Sequence, residues 1–187
     1  MRLLAAPAHC GPTALLRLLV ALSLVASSGG RANAADGLST SAEYIVGFVR
    51  YIHWKTEDSA DTWRICIVGA IPTEQDRAYS GEIVRGKRFV LRRIAATDAI
   101  DGCHVLDMTA TDAATSQALL ARLRHSPVLS VGSGSEFCSD GGQLCLHLQD
   151  KDQKFEVNLS AVRDAGLSVS SRLLMIGSGH SARSQER

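Results

Sequence analysis

The chain has 187 residues, of which 20 are Lys or Arg and 19 are Asp or Glu, so its formal net charge is +1. This near-neutral balance, without a long basic run, argues against nucleic-acid binding, because that function needs clustered cations at phosphates. Once the N-terminal segment discussed next is removed, about 150 residues remain, the usual size of one domain with a single core.

The N-terminal segment is organised like a secretory signal peptide. Arg2 and Arg17 precede an apolar run over Leu18–Ala26, and Ala32–Ala35 offers an Ala-x-Ala cleavage pattern. The apolar run is only about half of the roughly 20 residues that a membrane span requires. We therefore predict a cleaved signal peptide over residues 1–35 and a mature protein that does not span the membrane, with an uncleaved anchor as the alternative.

Cleavage changes the charge of the protein. It removes three arginines and no acidic residue, which leaves 17 Lys and Arg against 19 Asp and Glu, a net charge of about −2. One local concentration of cations remains, and it is either a solvated strand and turn or a binding surface. Its members are Arg85, Lys87, Arg88, Arg92 and Arg93.

Cysteine usage indicates disulfides. Cys10 leaves with the signal peptide, and the mature chain keeps Cys66, Cys103, Cys138 and Cys145. An even number of cysteines in an exported chain favours two disulfides.

The segment between Cys138 and Cys145 is rich in turn-forming residues, which favours local pairing and leaves Cys66 with Cys103. Closing these two loops stabilises the fold by roughly 2.5 and 4 kcal/mol, respectively, on the chain-entropy account. We expect the short bridge to be the more exposed and reducible one. It is either a structural staple or a redox sensor.

The predicted elements begin with a polar linker, Asp36–Ser39, and a helix that Thr40 or Ser41 caps and that runs to about Trp54. Trp63–Gly69 is β-branched and apolar enough to be a buried central strand. Tyr51 and Trp54 are assigned to the core.

The later elements alternate between helix and strand patterns before a hairpin. In chain order they are a short helix within Pro72–Gly86, strands Phe89–Ile94 and Val105–Met108, helix Ala113–Leu123, strand Val128–Val131, a Gly/Ser loop Ser133–Gly142, strands Gln143–Leu148 and Lys154–Val157, helix Leu159–Ala165 and an apolar segment Leu167–Ile176. This order predicts one α/β domain over residues 36–177, a mixed β-sheet flanked by helices on both faces with two disulfides. Residues 178–187 are predicted to be a flexible tail.

Catalytic motifs are missing from the sequence. Gly132-Ser133-Gly134 lacks the third glycine and the helix start of a phosphate-binding loop, and no Gly-x-Ser-x-Gly elbow occurs. The mature histidines are scattered singly. We therefore predict no enzymatic activity and no cofactor.

Two pairs of residues place sulfur and nitrogen donors together, Cys103-His104 and Cys145-x-His147. A zinc site can use such ligands, but no Cys-x-x-Cys knuckle is present and an oxidising compartment disfavours thiolate ligation. We predict no metal site. A thiol- or metal-dependent enzyme using Cys138, Cys145 and His147 is the less favoured alternative.

A pattern of residues in order along the mature chain resembles the YfiR-like periplasmic family. The pattern consists of Tyr44-x-x-x-Phe48-x-x-Tyr51-x-x-Trp54, Arg64-Ile65-Cys66-Ile67-Val68-Gly69, Gly86-Lys87-x-Phe89-x-Leu91-Arg92-Arg93, Cys103-His104-Val105-Leu106, Ser130-Val131-Gly132, Phe137, Gly141-Gly142, Phe155-Glu156-Val157-Asn158-Leu159 and Ala165-Gly166-Leu167-x-Val169-Ser170-Ser171-x-Leu173-Leu174. Lys55 departs from it, since the family usually has proline there.

The resemblance implies a mixed sheet flanked by helices, two disulfides placed like those above, and a periplasmic regulatory role. Such a protein binds the periplasmic sensor domain of an inner-membrane diguanylate cyclase and keeps it inactive, which limits cyclic di-GMP and biofilm formation. An outer-membrane lipoprotein can sequester the repressor, and redox state or small aromatic ligands modulate it. Family members also occur beside histidine kinases, so a small-molecule-binding module for a sensor kinase is the alternative, and a homodimer is left open.

The resemblance also implicates one region in repression, the strand end with Glu156 and Asn158 and the following helix with Val162. The alternative interpretation is that Glu156 and Asn158 form a local cap for that helix, because Asn is a favoured N-cap residue.

Overall fold

The computed structural model describes residues 33–71, 73–147, 154–173 and 175. The signal-peptide prediction, apart from residues 33–35, and the predicted tail over residues 178–187 lie outside these ranges. No helix within the described ranges has the length and apolar character needed to cross a bilayer.

The elements follow a mostly alternating order of helix and strand. They are α1 (Asn33–Val49), β1 (Ile52–His53), a 3-10 turn (Glu57–Ser59), β2 (Thr62–Val68), α2 (Thr73–Tyr79), β3 (Ile83–Val84), β4 (Lys87–Ile94), β5 (Val105–Asp107), α3 (Ala113–Arg122), β6 (Leu129–Ser133), α4 (Ser135–Ser139), β7 (Leu144–His147), β8 (Lys154–Val157), α5 (Leu159–Asp164) and β9 (Ser168–Val169).

The main sheet has seven strands in the order β3-β4-β2-β5-β6-β7-β8. The five inner strands run parallel, while β3 pairs with β4 and β8 pairs with β7 in the antiparallel sense. β1 and β9 form a separate two-stranded ribbon. The predicted α/β class with a mixed sheet is confirmed, and β2 is the central strand that its apolar sequence indicated.

The two faces of the sheet carry separate cores, because successive side chains of a strand point to opposite sides. On the first face, Ile65 of β2 packs in a cluster with residues of α1 and α5. On the second face, Cys66 packs in a cluster with residues of α3 and α4. Helices therefore cover both faces, as predicted.

The prediction for the first helix was wrong at both ends. α1 begins at Asn33, so the expected linker Asp36–Ser39 is helical, and it ends at Val49 rather than near Trp54. The guanidinium group of Arg85 donates hydrogen bonds to the carbonyl oxygens of Val49 and Ile52. These bonds satisfy carbonyl groups where the helix ends. The helical spacing past Val49 could not reveal a partner that lies 36 residues later.

Behind this turn lies an aromatic cluster that confirms a core role for Trp54, which is 4% exposed. The Trp54 and Trp63 ring centroids are 5.1 Å apart, and the Arg85 guanidinium lies 4.7 Å from the Trp63 centroid. The His104 ring meets the Trp63 ring edge-on. The Arg64 backbone N–H donates to His104 Nδ1 over 3.0 Å.

The predicted Gly/Ser loop over Ser133–Gly142 was also wrong, since it contains α4. Gly134 precedes this helix with a φ of +82°, a conformation that glycine adopts without the strain of a Cβ atom. Phe137 of this helix is buried. A short helix of five residues gives too little periodicity to be recognised among Gly and Ser residues.

Candidate functional site

Cys66, Cys103, Cys138 and Cys145 form the two disulfides that were predicted. Cys66 of β2 is bonded to Cys103, and Cys138 of α4 is bonded to Cys145 of β7, with Cα–Cα distances of 5.8 Å in both bridges. Both bridges lie on the second face of the sheet.

The short bridge is the more exposed one, again as expected. Cys66 and Cys103 are 0% and 5% exposed, and Cys145 is 0% exposed. Cys138 is half-buried. A reductant can therefore approach the short bridge from the Cys138 side, whereas both sulfurs of the long bridge are enclosed.

The ring of Phe137 fixes the position of α4, and it does so between two glycines. A Cβ atom added to Gly132 of β6 would lie 2.4 Å from this ring, and one added to Gly142 would lie 2.2 Å from it. Such distances are far below van der Waals contact, so only glycine fits at either position. The sequence places Gly132, Phe137 and Gly142 near one another, but it does not show that the ring packs between the two glycines.

Glu156 lies directly opposite Cys145 in the β7–β8 pair. Its Oε1 atom is 3.0 Å from Nε2 of His147, and its side chain is 55% exposed against 20% for His147. His147, which was considered as a metal or catalytic ligand, thus has a carboxylate partner. The sequence could not show this pair, because it depends on the register of the hairpin.

Asn158 joins two structures at the end of β8. Its Oδ1 atom accepts a hydrogen bond from the backbone N–H of Ala161 over 3.1 Å and from the Ser160 hydroxyl over 2.7 Å, so it is the N-cap of α5. Its Nδ2 group donates to the carbonyl oxygen of Cys138 over 3.0 Å. The capping interpretation holds for Asn158, while Glu156 takes no part in the cap.

Val162 occupies a different environment from the other two predicted contact residues. It is 1% exposed and packs in the core of the first face. Its side chain holds α5 against the sheet, and the surface beside the short bridge is formed by Glu156, His147 and Asn158. We call these three residues, together with Cys138 and Cys145, the bridge cluster.

A half-open cavity of about 580 Å³ lies beside the bridge cluster between α3 and α5. Its lining includes Gln117, Arg124, Asp140 and Asn158. Gln117 donates a hydrogen bond to Asp140 over 3.0 Å across this cavity wall. The cavity offers polar groups of both charges and has the size of a site for a small polar molecule.

A metal centre has no support in the described ranges. All four cysteines of these ranges are in disulfides, so none supplies a thiolate, and no group of three or more His, Cys, Asp or Glu side chains that could hold a metal ion lies there.

The comparison with protein families decides the class of this chain. Residues 39–178 match the model of the family described as YfiR/HmsC-like. The chain belongs to the YfiR/HmsC-like family. The matched residues include both disulfides and the whole bridge cluster, so the candidate site lies within the part of the chain that the YfiR/HmsC-like family shares. The resemblance stated from the sequence is confirmed at the level of the family.

Proposed function

We propose that this protein is a periplasmic regulatory protein, exported by its signal peptide, that binds and represses the periplasmic sensor domain of an inner-membrane diguanylate cyclase. It thereby lowers cyclic di-GMP signalling and biofilm formation. Its role is binding rather than catalysis, without cofactor or metal. An outer-membrane lipoprotein that sequesters it would complete the switch.

The family match over residues 39–178 carries this proposal. The bridge cluster supports it, because an exposed carboxylate at the end of a sheet is suited to contact a cationic partner surface. Glu156 is more than half exposed yet held by His147, so its position is defined before any partner arrives. A rigid, charged contact at the sheet end favours specific recognition.

The same geometry supports redox modulation of the partner contact. Cys145 lies opposite Glu156, and the carbonyl oxygen of Cys138 accepts from Asn158. Reduction of the short bridge releases the segment between Cys138 and Cys145. Glu156, which lies opposite Cys145, and Asn158, which is bonded to Cys138, then lose a fixed support. We propose that the oxidised form is the one that represses.

The cavity between α3 and α5 favours a second candidate function, a small-molecule-binding module that reports to a sensor kinase. Arg124 lines this cavity, is exposed, and has no side-chain partner within the described ranges. The two candidates differ in the membrane protein that would be captured.

The test is a pulldown of mature residues 36–187 against the periplasmic domains of membrane cyclases and kinases from the same cell. We expect the oxidised protein to capture a cyclase domain and C138S/C145S to capture clearly less. Capture of a kinase domain alone would favour the second candidate, and capture of neither would overturn both.

A matched pair of variants sharpens this test. Glu156→Gln removes the proposed contact charge and is expected to weaken capture about tenfold, the effect of 1.4 kcal/mol. Asp61→Asn removes an exposed carboxylate that has no side-chain partner in the described ranges, and it should leave capture unchanged. Equal losses in the two variants would contradict a specific role for Glu156.

A further inference from the structure

The edge of the main sheet farthest from the bridge cluster is open along most of β4. β4 has eight residues, Lys87–Ile94, and β2 pairs with seven of them on the inner side. On the outer side, β3 pairs with Lys87 and Arg88 alone. The segment from Phe89 to Ile94 has no neighbouring strand on that side within the described ranges.

The turn between β3 and β4 determines which backbone groups face outwards. Arg85 and Gly86 form a two-residue turn with φ values of 48° and 77°, so Val84 and Lys87 are its closing pair. The closing pair of such a hairpin exchanges both of its backbone hydrogen bonds. Lys87 therefore directs its N–H and C=O groups outwards, and by alternation so do Phe89, Leu91 and Arg93.

The outward groups of Phe89, Leu91 and Arg93 have no hydrogen-bond partner in the described part of the chain. The backbone bonds outside the ladders include none to Phe89, Leu91 or Arg93, whereas the inward carbonyl of Ile94 is bonded to Gly69. A narrow groove of about 180 Å³, lined by Phe89, Leu91 and residues of the α2–β3 segment, runs beside this edge. An unpaired edge of this kind is a template for an added strand.

The side chains at this edge carry positive charge. Arg88 and Arg93 are exposed, and no hydrogen bond or ion pair of either guanidinium group is present in the described ranges. The carboxylates that line the groove are Glu82, which pairs with Arg50 at 3.3 Å, and Asp76 of α2. The edge thus has a surplus of unpaired cations.

Two exposed apolar side chains lie on the same face as Arg88. Ile83 and Val90 are 51% and 44% exposed, which is unusual for large aliphatic residues in this protein. Ile83 pairs with Arg88 across the hairpin, and Val90 follows Arg88 by two residues, so all three point to one side. A partner strand would cover both apolar groups and meet the cations.

We propose that the open edge of β4 binds an extended, acidic segment of a protein partner by strand addition. The charge pattern argues against a second copy of this chain as the occupant. A symmetric antiparallel pairing of two open segments centred on Arg92 would place Arg92 opposite Arg92 of the second copy, and one centred on Leu91 would bring the two Arg92 side chains together diagonally. Like charges in such cross-strand positions are destabilising. β4 contains no acidic residue that could relieve this repulsion.

The sequence of a suitable probe follows from the two-residue period of a strand. An acetylated and amidated peptide, Thr-Glu-Thr-Thr-Val-Thr-Glu, pairs antiparallel with the open segment from Phe89 to Ile94. It places its first glutamate opposite Arg93, valine opposite Val90, and its last glutamate beside Arg88, where β3 ends the open edge. Two comparison peptides replace both glutamates by lysine, or N-methylate the valine and its neighbours so that the backbone cannot pair.

The experiment is amide hydrogen exchange and NMR titration of mature residues 36–187 with these peptides. We expect the acidic peptide to bind and to protect the amides of Phe89, Leu91 and Arg93 several-fold, and the two comparison peptides to do neither. The double variant R88E/R93E should weaken binding about tenfold or more. R163E/R172E, which reverses two exposed arginines elsewhere, should leave it unchanged.

Equal binding of the lysine peptide, protection at other residues, or unchanged binding by R88E/R93E would each overturn the proposal. Protection of the same amides in a wild-type dimer without peptide would also overturn it, in favour of a second copy. This inference does not depend on the cyclase as partner. If R88E/R93E still captures the cyclase domain, the open edge takes no part in that complex, but peptide binding is unaffected by this result. If the wild-type protein captures no cyclase domain, the proposed function fails instead.

Discussion

Asn158 donates a hydrogen bond from Nδ2 to the carbonyl oxygen of Cys138, 3.0 Å away, while its Oδ1 atom caps α5. One side chain thus connects the helix that follows β8 with the short disulfide. Asp at this position would keep the cap and lose the donor, whereas Ala would lose both. The two functions of Asn158 can therefore be separated.

We expect Asn158→Ala to lower the free energy of unfolding by about 2 kcal/mol, the sum of a lost cap and a lost hydrogen bond. Asn158→Asp should lose about half as much. Urea denaturation of the oxidised proteins measures both values. No loss in Asn158→Asp would show that the bond to Cys138 contributes nothing, and equal losses in the two variants would show that the cap contributes nothing.

The two disulfides should differ in both reducibility and contribution to stability. Mild reduction followed by alkylation and mass spectrometry is expected to label Cys138 and Cys145 first, because Cys66 and Cys103 are enclosed. With sequence separations of 7 and 37 residues, removing the bridges as alanine pairs should cost about 2.5 and 4 kcal/mol, respectively. Simultaneous labelling of all four cysteines would contradict the exposure argument.

Gly142→Ala should destabilise the protein, because the new methyl group would meet the Phe137 ring at 2.2 Å. Overpacking of this kind costs about 1 to 3 kcal/mol. Gly47→Ala is the matched control, since open space surrounds that position in α1 and alanine favours helices by up to about 1 kcal/mol. Thermal unfolding should shift in opposite directions for the two variants.

His104 should make stability fall in mild acid. Burial, followed by the nearby charges of Arg64 and Lys87, lowers the pKa of His104 below 6.5 in the folded state. The unfolded chain then binds more protons as the pH falls through 6.5, so stability is lost from there down to the lowered pKa. Unfolding measured at pH 5.0 and 7.5 should show a smaller difference in His104→Asn, which keeps an acceptor for the Arg64 N–H. An unchanged difference would assign the effect to other groups.

Asp107 should have the opposite effect on the pH dependence of stability. Burial raises its pKa, although Thr109 and Gln75 donate hydrogen bonds to its carboxylate. Asp107 therefore stabilises the fold fully at a pH below the pKa it has in the unfolded chain. This stabilisation is lost as the pH rises through the higher pKa of the folded state. Asp107→Asn should therefore keep or increase stability at pH 7, because the unpartnered Oε1 atom of Gln75 can accept from the new amide if Gln75 turns. A large loss at pH 7 would show that the charged form is the stable one.

Much of the fold could be predicted from short-range patterns. The apolar, β-branched run around Ile65 indicated a central strand, and the Ala- and Leu-rich segment over Ala113–Leu123 indicated a helix, because burial and helical spacing leave a local record in the sequence. The disulfide pairing could be inferred from the turn between Cys138 and Cys145 and from the even number of cysteines.

Two of the errors in prediction, the C-terminal end of α1 and the loop before Cys138, arose where a tertiary contact outweighed a local preference. The apolar spacing past Val49 is helical, but Arg85 binds the carbonyl groups at that point and the chain turns to pair β1 with β9. The segment before Cys138 is rich in Gly and Ser, but burial of Phe137 between two glycines stabilises a helix there.

The amino-acid sequence by itself determined the α/β class, the two bridges and the family, since each depends on composition, period or residue order. The export signal also comes from the sequence alone and stays a prediction. Only the tertiary structure decided that Glu156 lies opposite Cys145 beside His147, that Val162 is buried, and that most of β4 has a cationic edge without a neighbour among the described strands. These features depend on strand register and strand order. The pairing free energy that sets them is shared between residues far apart in the chain, so no local pattern records it.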